Sequence, residues 1–232
     1  MDNIVDLKQK IASSCRILYS EGHHDYVWGH VSARIPGEDK YWMKPKGLGL
    51  NEIGHDELIL LDFDGNKLDG NGNRERHAEF PIHSEIYRIR QDVNCVIHTH
   101  PFYATLIAAL GEFIKPLTHD GCLFVNAQVF FNETSDLIIS EEVGKKLANC
   151  LGKNTVAFLR NHGVVVVGKD VEEATGAAIF LERASKYQVY SNSLGIDKCV
   201  CSSEQEVENR LSQHFSPQNY RSLFSYLQRM CK

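Results

Sequence analysis

The chain has 232 residues, of which 43% are hydrophobic and 24% charged, a composition typical of a globular protein with one sizeable core. Its formal net charge of −5 and its dispersed lysines and arginines exclude the basic footprint of a nucleic-acid-binding protein. The seven cysteines form no CxxC pair, and there is neither an apolar targeting segment nor an uncharged stretch long enough to span a bilayer, so we expect a cytoplasmic protein with reduced thiols and no membrane partner.

The first half of the chain predicts one helix followed by strands. Apolar residues recur at helical spacing from Ile4 to Leu18, and Gly22 is expected to end this helix. Strands are predicted at residues 30–35, 40–44 and 57–63, with a turn at Asp64-Gly65 after the third.

Helices and strands alternate through the second half. Pro81 is expected in the first turn of a helix that reaches Arg90, and Asp170 with Glu173 is expected to cap the start of a long helix that runs toward Gly195. Further helices are predicted at residues 101–110, where Gly111 is expected to end the helix, and at residues 140–151, 204–214 and 217–230. Further strands are predicted at residues 93–100, 123–131, 155–160 and 163–168. This alternation, with tight turns between several neighbouring strands, predicts a layered α/β domain whose sheet is at least partly antiparallel.

Two histidines stand two residues apart at the end of the strand predicted for residues 93–100. Side chains alternate between the faces of a strand, so His98 and His100 are expected to point to one side and Thr99 to the other. Two imidazoles do not complete a divalent-metal site, because a catalytic zinc site takes three protein ligands and keeps a fourth position open. Glu79 and His162, which lies in the segment RNHG, are the candidates that can complete it.

Several segments resemble one known family. HAEFPIHSEIYRIRQDVNCVIHTHPFYATLIAAL, beginning at His77, and AFLRNHGVVVVGKDVEEA, beginning at Ala157, look like the class II aldolase/adducin family, which includes sugar-phosphate aldolases and ribulose-phosphate 4-epimerases. The similarity takes in WGHVSARI and DELILLDFDGN and covers most of residues 5–195. We interpret residues 1–232 as a single domain in which residues 193–232 form a helical, weakly matched extension.

The resemblance implies a three-layer α/β/α domain with a mixed, largely antiparallel central sheet, assembled as a homotetramer with active sites at subunit interfaces. It also implies that His98, His100 and His162 bind a divalent metal, with Glu79 as the acid/base residue and sometimes a further ligand. Zinc is expected, with manganese, iron or cobalt as alternatives, because imidazole suits all of these ions. All four residues are present, which argues against the adducin-like members that keep the fold and lose the site.

The expected chemistry follows from this ligand set. An ion held by three neutral imidazoles keeps its full charge, so it can bind adjacent hydroxyl and carbonyl oxygens and stabilise an enediolate. Such an intermediate forms when a neighbouring C–C bond breaks, whether the departing fragment is an aldehyde or carbon dioxide. Glu79 is expected to move the required proton.

Four functions are therefore considered. The first is a metal-dependent lyase that cleaves a C–C bond of a small hydroxylated carboxylic or aromatic acid, by decarboxylation or retro-aldol reaction. The second is a sugar-phosphate aldolase or ribulose-phosphate 4-epimerase that uses the same site. An iron-dependent oxygenase and a non-catalytic, adducin-like interaction domain are the remaining alternatives.

The departures from the family pattern bear on the substrate. In the sugar-phosphate members, small neutral residues cradle the phosphate, whereas Gly29-His30, Lys46-Gly47 and His77-Ala78 stand at those positions here. A carboxylate or a phenolate is then as natural a guest as a phosphate. The predicted substrate-binding residues are His30, Lys46, Gly47, His77 and Asp120, the last acting in a neighbouring subunit's site. The alternative is that His30 and His77 pack at a subunit boundary.

Other polar residues leave choices open. His83 and Tyr87 share one face of the helix after Glu79, where either can line the pocket or cap the core. The pair His23-His24 is predicted to lie in a solvated loop. Relatives can contribute a C-terminal tyrosine to catalysis, and the sequence does not choose between Tyr220 and Tyr226.

Overall fold

A computed structural model describes residues 2–195 and 198–231 of the chain. Within these residues, one eight-stranded sheet carries helices on both of its faces, which confirms the predicted three-layer α/β/α arrangement. No helix in this described part is both long and apolar enough to cross a membrane.

The sheet is mixed and largely antiparallel, as predicted. Its strands are β1 (His30–Arg34), β2 (Lys40–Met43), β3 (Ile59–Asp62), β4 (Lys67–Gly70), β5 (Cys95–Thr99), β6 (Gln128–Phe131), β7 (Val156–Leu159) and β8 (Gly163–Gly168). They follow the order β4-β3-β2-β1-β5-β8-β7-β6, and among the described strands only β6 and β7 pair in parallel. Strand β5 therefore lies at the centre of the sheet.

The helices divide between the two faces. They are α1 (Asp2–Leu18), α2 (Pro81–Ile89), α3 (Phe102–Leu110), α4 (His119–Cys122), α5 (Glu141–Leu151), α6 (Val171–Leu194), α7 (Glu204–His214) and α8 (Pro217–Met230). Helices α2 and α5 cover one face, and α1, α3 and α6 cover the other, where α8 packs against α6. Gly111 ends α3 in a left-handed conformation, and the carboxylate of Asp170 accepts a 2.7 Å hydrogen bond from the backbone N–H of Glu173 at the start of α6, so both helix ends match the prediction.

The central strand contributes side chains to both cores. Val96 packs in the cluster under α2 and α5, whereas Ile97 packs in the cluster under α1, α3 and α6. His98 follows this alternation and shares the α2 side with Val96. Because β5 has neighbours on both edges and helices over both faces, every one of its side chains is buried.

The strand prediction needs correction at three places. The strand expected at residues 123–131 is only Gln128–Phe131, because Thr118 caps the short helix α4 and the chain turns before it enters the sheet. Strand β4 was absent from the sequence prediction because its side chains are exposed or half-buried at the edge of the sheet, so no apolar alternation marks it. The strand predicted at residues 93–100 is shorter, Cys95–Thr99, and His100 follows its last residue.

Candidate metal centre

Strand register brings the first histidines of the site together. His98 on β5 pairs directly with His30 on the neighbouring antiparallel strand β1, and their rings lie 5.0 Å apart between centroids. Thr99 points to the opposite face, where its hydroxyl lies 2.9 Å from Nδ1 of His23. The predicted alternation of this segment is therefore confirmed.

Three imidazoles converge beyond the end of β5. The Nε2 atoms of His98 and His100 are 3.1 Å apart, and the ring of His162 lies 4.9 Å and 5.1 Å from these two rings between centroids. One nitrogen of each ring lies within 4.8 Å of the other two, which is close enough for a single ion to contact all three. His162 reaches this position from the turn between β7 and β8, where Asn161 adopts a left-handed conformation with φ 53°.

Hydrogen bonds at the other ring nitrogens set the orientation of two of these imidazoles. Nδ1 of His98 donates to the carbonyl of Val164 over 3.0 Å, and Nδ1 of His100 donates to the carboxylate of Asp25 over 2.6 Å. Each ring therefore keeps its proton on Nδ1 and turns the lone pair of Nε2 toward the other. Two lone pairs at 3.1 Å repel each other, so this arrangement favours a cation between them.

A glycine allows His100 to take this position. A Cβ atom on Gly163 would lie 2.4 Å from Cδ2 of His100 and 2.7 Å from the carbonyl oxygen of Thr99. Any larger residue at the start of β8 would therefore displace His100 from the group.

Glu79 completes the group from the segment just before α2. Its Oε1 accepts a 2.9 Å hydrogen bond from the backbone N–H of Ile138 and lies 3.6 Å from Nε2 of His162, and its Oε2 lies 3.8 Å from Nε2 of His98. Burial raises the pKa of Glu79, although the Ile138 N–H opposes this shift. The carboxylate is thus held by one oxygen and faces two imidazoles.

Two observations indicate that the three histidines suit a divalent ion. Nε2 of His162 is buried and has no hydrogen-bond partner among the described residues, which is costly unless a ligand occupies it. Burial also lowers the pKa of His98 well below its usual range and that of His162 to about 4, so both rings are neutral, as metal ligands must be. Three imidazoles and a carboxylate suit zinc, manganese, iron and cobalt alike.

A second group of ligand atoms overlaps the first. Nitrogens of His30 and His98 and an oxygen of Glu79 also lie within 4.8 Å of one another. His30 further packs against His77 at 4.5 Å and His83 at 4.8 Å between ring centroids. The structure thus places His30 beside the candidate metal centre, with His77 and His83 around it.

The other predicted substrate-binding residues are spread more widely. His77 is buried, and its Nε2 lies 3.0 Å from the carbonyl of Pro45, whereas Lys46 and Gly47 lie exposed in the following turn. Asp120 on α4 forms a 3.2 Å ion pair with Arg183 on α6, on the opposite face of the sheet from Glu79. Their roles toward a substrate stay predictions.

Sequence reasoning missed two residues of this region. Lys44 is fully buried and donates to the carbonyls of Val27 (3.1 Å) and Pro45 (3.3 Å), and burial lowers its pKa to about 8. Asp25, the partner of His100, is separated from it by 75 residues in the sequence. Neither residue belongs to a local pattern, so neither was selected.

The histidine pair after α1 corrects one expectation. His23 is fully buried and hydrogen-bonded to Thr99, whereas His24 is exposed, so only the second lies in a solvated loop. At the C-terminus, Tyr220 is buried against Gly176 on α6 and Tyr226 is half exposed on α8. Both tyrosines lie on the helical face opposite α2.

Known proteins resemble this chain over most of its length. The family model described as "Class II Aldolase and Adducin N-terminal domain" matches residues 9–189. An L-fuculose phosphate aldolase of Methanocaldococcus jannaschii is 32% identical over 181 residues, which are 77% of this chain and 93% of that protein. Decarboxylase NovR of Streptomyces niveus is 31% identical over 157 residues, 68% of this chain and 58% of the relative.

Among solved structures, the L-fuculose 1-phosphate aldolase of Glaciozyma antarctica superposes with a TM-score of 0.87 at 24% identity. The match covers 99% of this chain and 89% of that one. At this identity the likeness concerns the fold, and it includes the C-terminal helices that the sequence resemblance left weakly matched.

Proposed function

The chain belongs to the class II aldolase and adducin family, and from this premise we propose that it is a metal-dependent lyase that cleaves a C–C bond of a small hydroxylated carboxylic or aromatic acid. The observation that carries the proposal is the convergence of His98, His100 and His162 within 4.8 Å, with Glu79 less than 4 Å from two of them. The buried ligand atoms in this arrangement favour a catalytic member over an adducin-like domain without catalysis.

The residues divide the chemical work between them. The three histidines would hold a divalent ion through Nε2 of His98, Nε2 of His100 and a ring nitrogen of His162. A bound divalent ion supplies the positive charge that stabilises negative charge on substrate oxygens when the C–C bond breaks. Glu79 gives or takes the proton of the reacting carbon or oxygen, and its raised pKa brings its protonation closer to neutral pH.

The surroundings of the centre favour an acid over a phosphorylated sugar. Two imidazoles, His30 and His77, occupy positions that are small and neutral in sugar-phosphate members, and Lys46 is exposed. The buried lysine, Lys44, directs its ammonium group to two backbone carbonyls. A phosphate dianion needs a fuller set of donors than these residues offer, because each unmet hydrogen bond to a buried charged group costs about 2 kcal/mol or more.

A sugar-phosphate aldolase is the second candidate. It is supported by the fuculose phosphate aldolase relative, of which the match covers 93%, whereas the decarboxylase relative supports the first. Both reactions break a C–C bond beside an oxygen-bearing carbon, so the same ligand set serves either one.

Steady-state kinetics on the purified, zinc-loaded protein separates the two candidates. We expect a higher kcat/KM for dihydroxybenzoates or small hydroxy acids than for fuculose 1-phosphate or ribulose 5-phosphate. The variant with His98, His100 and His162 all changed to alanine gives the background rate. A far higher efficiency with a sugar phosphate would overturn the acid proposal and leave the second candidate standing.

A homotetramer in the cytoplasm is part of the same proposal. Large apolar side chains on α3 and α6 are exposed, among them Phe102 (71%) and Leu194 (77%), and such surface favours burial against another subunit. The seven cysteines are all free, which suits a reducing compartment. Light scattering that gives a monomer at working concentration would remove the assembly, and with it the role of Asp120 in a neighbouring site.

A further inference from the structure

A chain of buried hydrogen bonds leads from the candidate metal centre into the core. Nδ1 of His30 lies 2.6 Å from Nε2 of His83, Nδ1 of His83 lies 2.6 Å from Oγ of Ser32, and the same Oγ lies 2.7 Å from Oη of Tyr87. His83, Ser32 and Tyr87 are fully buried, and His30 is 2% exposed. Strand β1 and helix α2 build this chain by facing each other, since each contributes two of its members.

Tyr87, at the end of this series of hydrogen bonds, fixes which atom donates in each of them. Among the described residues, Ser32 Oγ is the only hydrogen-bond partner of the Tyr87 hydroxyl. The Tyr87 proton is therefore satisfied only if it is donated to Ser32. Ser32 must then donate its own proton to Nδ1 of His83, which places the proton of His83 on Nε2. That proton is donated to Nδ1 of His30, and the proton of His30 is left on Nε2.

Every other arrangement leaves a buried donor without an acceptor. If the chain ran in the opposite direction, Ser32 would donate to Tyr87, and the buried Tyr87 proton would have no acceptor among these residues. The same fault arises if His30 or His83 carries two protons, because His83 then donates to Ser32 and Ser32 again donates to Tyr87. An unsatisfied buried donor costs about 1–3 kcal/mol, which is enough to select one arrangement.

We infer that this series of hydrogen bonds holds His30 as the tautomer that presents an Nε2–H donor to the candidate metal centre. There the donor binds an anionic oxygen of the substrate. Ser32, His83 and Tyr87 are then positioning residues for His30. The nature of the acceptor, a carboxylate or a developing oxyanion, rests on the function proposed above, whereas the tautomer rests on the hydrogen bonds alone.

This tautomer decides whether His30 binds the metal or donates a hydrogen bond to the substrate. With its proton on Nε2 and with Nδ1 occupied by His83, His30 has no lone pair to offer a metal. The overlapping ligand group of His30, Glu79 and His98 is thereby excluded as a separate metal site. His30 instead favours substrates with a negative oxygen beside the ion.

Nitrogen NMR of histidine rings tests the tautomer directly. Long-range proton–nitrogen spectra of the 15N-labelled protein, in metal-free and zinc-loaded form, report which ring nitrogen carries the proton, and the signals lost in His30→Gln identify His30. We expect a protonated Nε2 and an unprotonated Nδ1 in both forms. A proton on Nδ1, or an Nε2 that coordinates zinc, would overturn the inference.

Two buried hydroxyls provide matched variants. Ser32→Asp replaces the hydroxyl by a group that only accepts, so His83 should place its proton on Nδ1 and His30 should switch to the Nδ1–H tautomer, whereas Ser32→Thr should keep the original one. Tyr87→Phe removes a buried hydroxyl, but it leaves the Ser32 proton with His83, so the tautomer should persist. An unchanged tautomer in Ser32→Asp, or a switched one in Tyr87→Phe, would show that these hydrogen bonds do not position His30.

Anion binding tests the donor without any assumption about the reaction. Oxalate, a dicarboxylate that chelates divalent ions, should bind zinc-loaded His30→Leu about tenfold or more weakly than the unaltered protein, because a hydrogen bond to a charged group is lost. His30→Gln, whose amide can donate from a similar position, should recover most of this affinity, and the zinc content of both variants should be unchanged. Equal oxalate affinity in His30→Leu, or loss of its zinc, would overturn the donor role. If these results hold while no acid is cleaved, the proposed function fails and the inference stands.

Discussion

The carboxylate of Asp25 accepts a 2.6 Å hydrogen bond from Nδ1–H of His100. This contact fixes the tautomer of an expected metal ligand and adds negative charge behind its ring, which makes Nε2 a stronger donor to a cation. Asp25 lies in the segment between α1 and β1, so the loop before the sheet helps to build the centre at the end of β5.

Replacing this carboxylate should weaken the metal site. Asp25→Asn keeps the size of the side chain and removes its charge, so we expect a loss of about 10- to 100-fold in zinc affinity, measured by competition with a chelating dye. Asp56→Asn is the matched control, because Asp56 forms a similar pair with His55 (3.2 Å) at the exposed surface. Equal losses in both variants would contradict a specific role for Asp25.

The purified protein should hold about one divalent ion per chain, most of it zinc. His98→Ala should abolish both metal binding and activity, because each ligand of a three-imidazole site is needed for a tight complex. Elemental analysis by mass spectrometry gives the stoichiometry. Full occupancy in a variant with His98, His100 and His162 all changed to alanine would rule out this site.

Glu79→Gln should separate catalysis from metal binding. The amide keeps the shape of the side chain but cannot transfer a proton, so turnover should fall by about 10²-fold or more while the zinc content stays the same. Glu85→Gln is the control, since Glu85 is another buried carboxylate nearby that pairs with Arg88 (3.0 Å) away from the histidines. Unchanged turnover in Glu79→Gln would assign the proton transfer to another group.

Gly163→Ala should disturb His100 through sterics alone. The new methyl group would stand 2.4 Å from the ring, so the ring must move away from the other two imidazoles. We expect reduced zinc affinity with secondary structure retained, measured by dye competition and circular dichroism. Gly54→Ala serves as the control because nothing lies within 4 Å of its Cβ position. Wild-type affinity in Gly163→Ala would contradict the close packing described here.

The buried His23 should make the metal-free protein sensitive to acid. Burial lowers its pKa from 6.5 to about 4, so the ring is neutral in both folded and unfolded chains above pH 6.5. As the pH falls from 6.5 toward 4, the unfolded chain takes up the proton first, and His23 alone should reduce the free energy of unfolding by about 3 kcal/mol over this range.

Urea unfolding between about pH 7 and about pH 5 measures this effect. His23→Gln should show a shallower decline with falling pH than the unaltered protein. His24→Gln, which changes the exposed neighbour, should keep the full decline. Identical pH dependence in the His23 variant and the unaltered protein would contradict a buried neutral ring.

Much of the fold was predictable because it depends on local periodicity. The alternation of β5 placed His98 and Thr99 on opposite faces, and glycine at the end of α3 marked a helix end, since both effects involve only neighbouring residues. Strand β4 was not predicted, because an edge strand with exposed side chains needs no apolar residues and so carries no apolar alternation. The strand predicted at residues 123–131 began too early, because the apolar residues among 123–127 lie in a largely half-buried turn that precedes the sheet.

For the candidate site, the sequence by itself determined which residues are predicted to bear the chemistry: the HTH pair, His162 and Glu79 follow from residue type, spacing and family resemblance. Only the tertiary structure decided how they are oriented and which neighbours support them. Asp25 meets His100 across 75 residues, and His30 meets His83 across 53, because β1, β5 and α2 pack together. Hydrogen bonds between segments far apart in the sequence depend on sheet register and helix placement, and burial depends on what covers a residue, so no local pattern contains either.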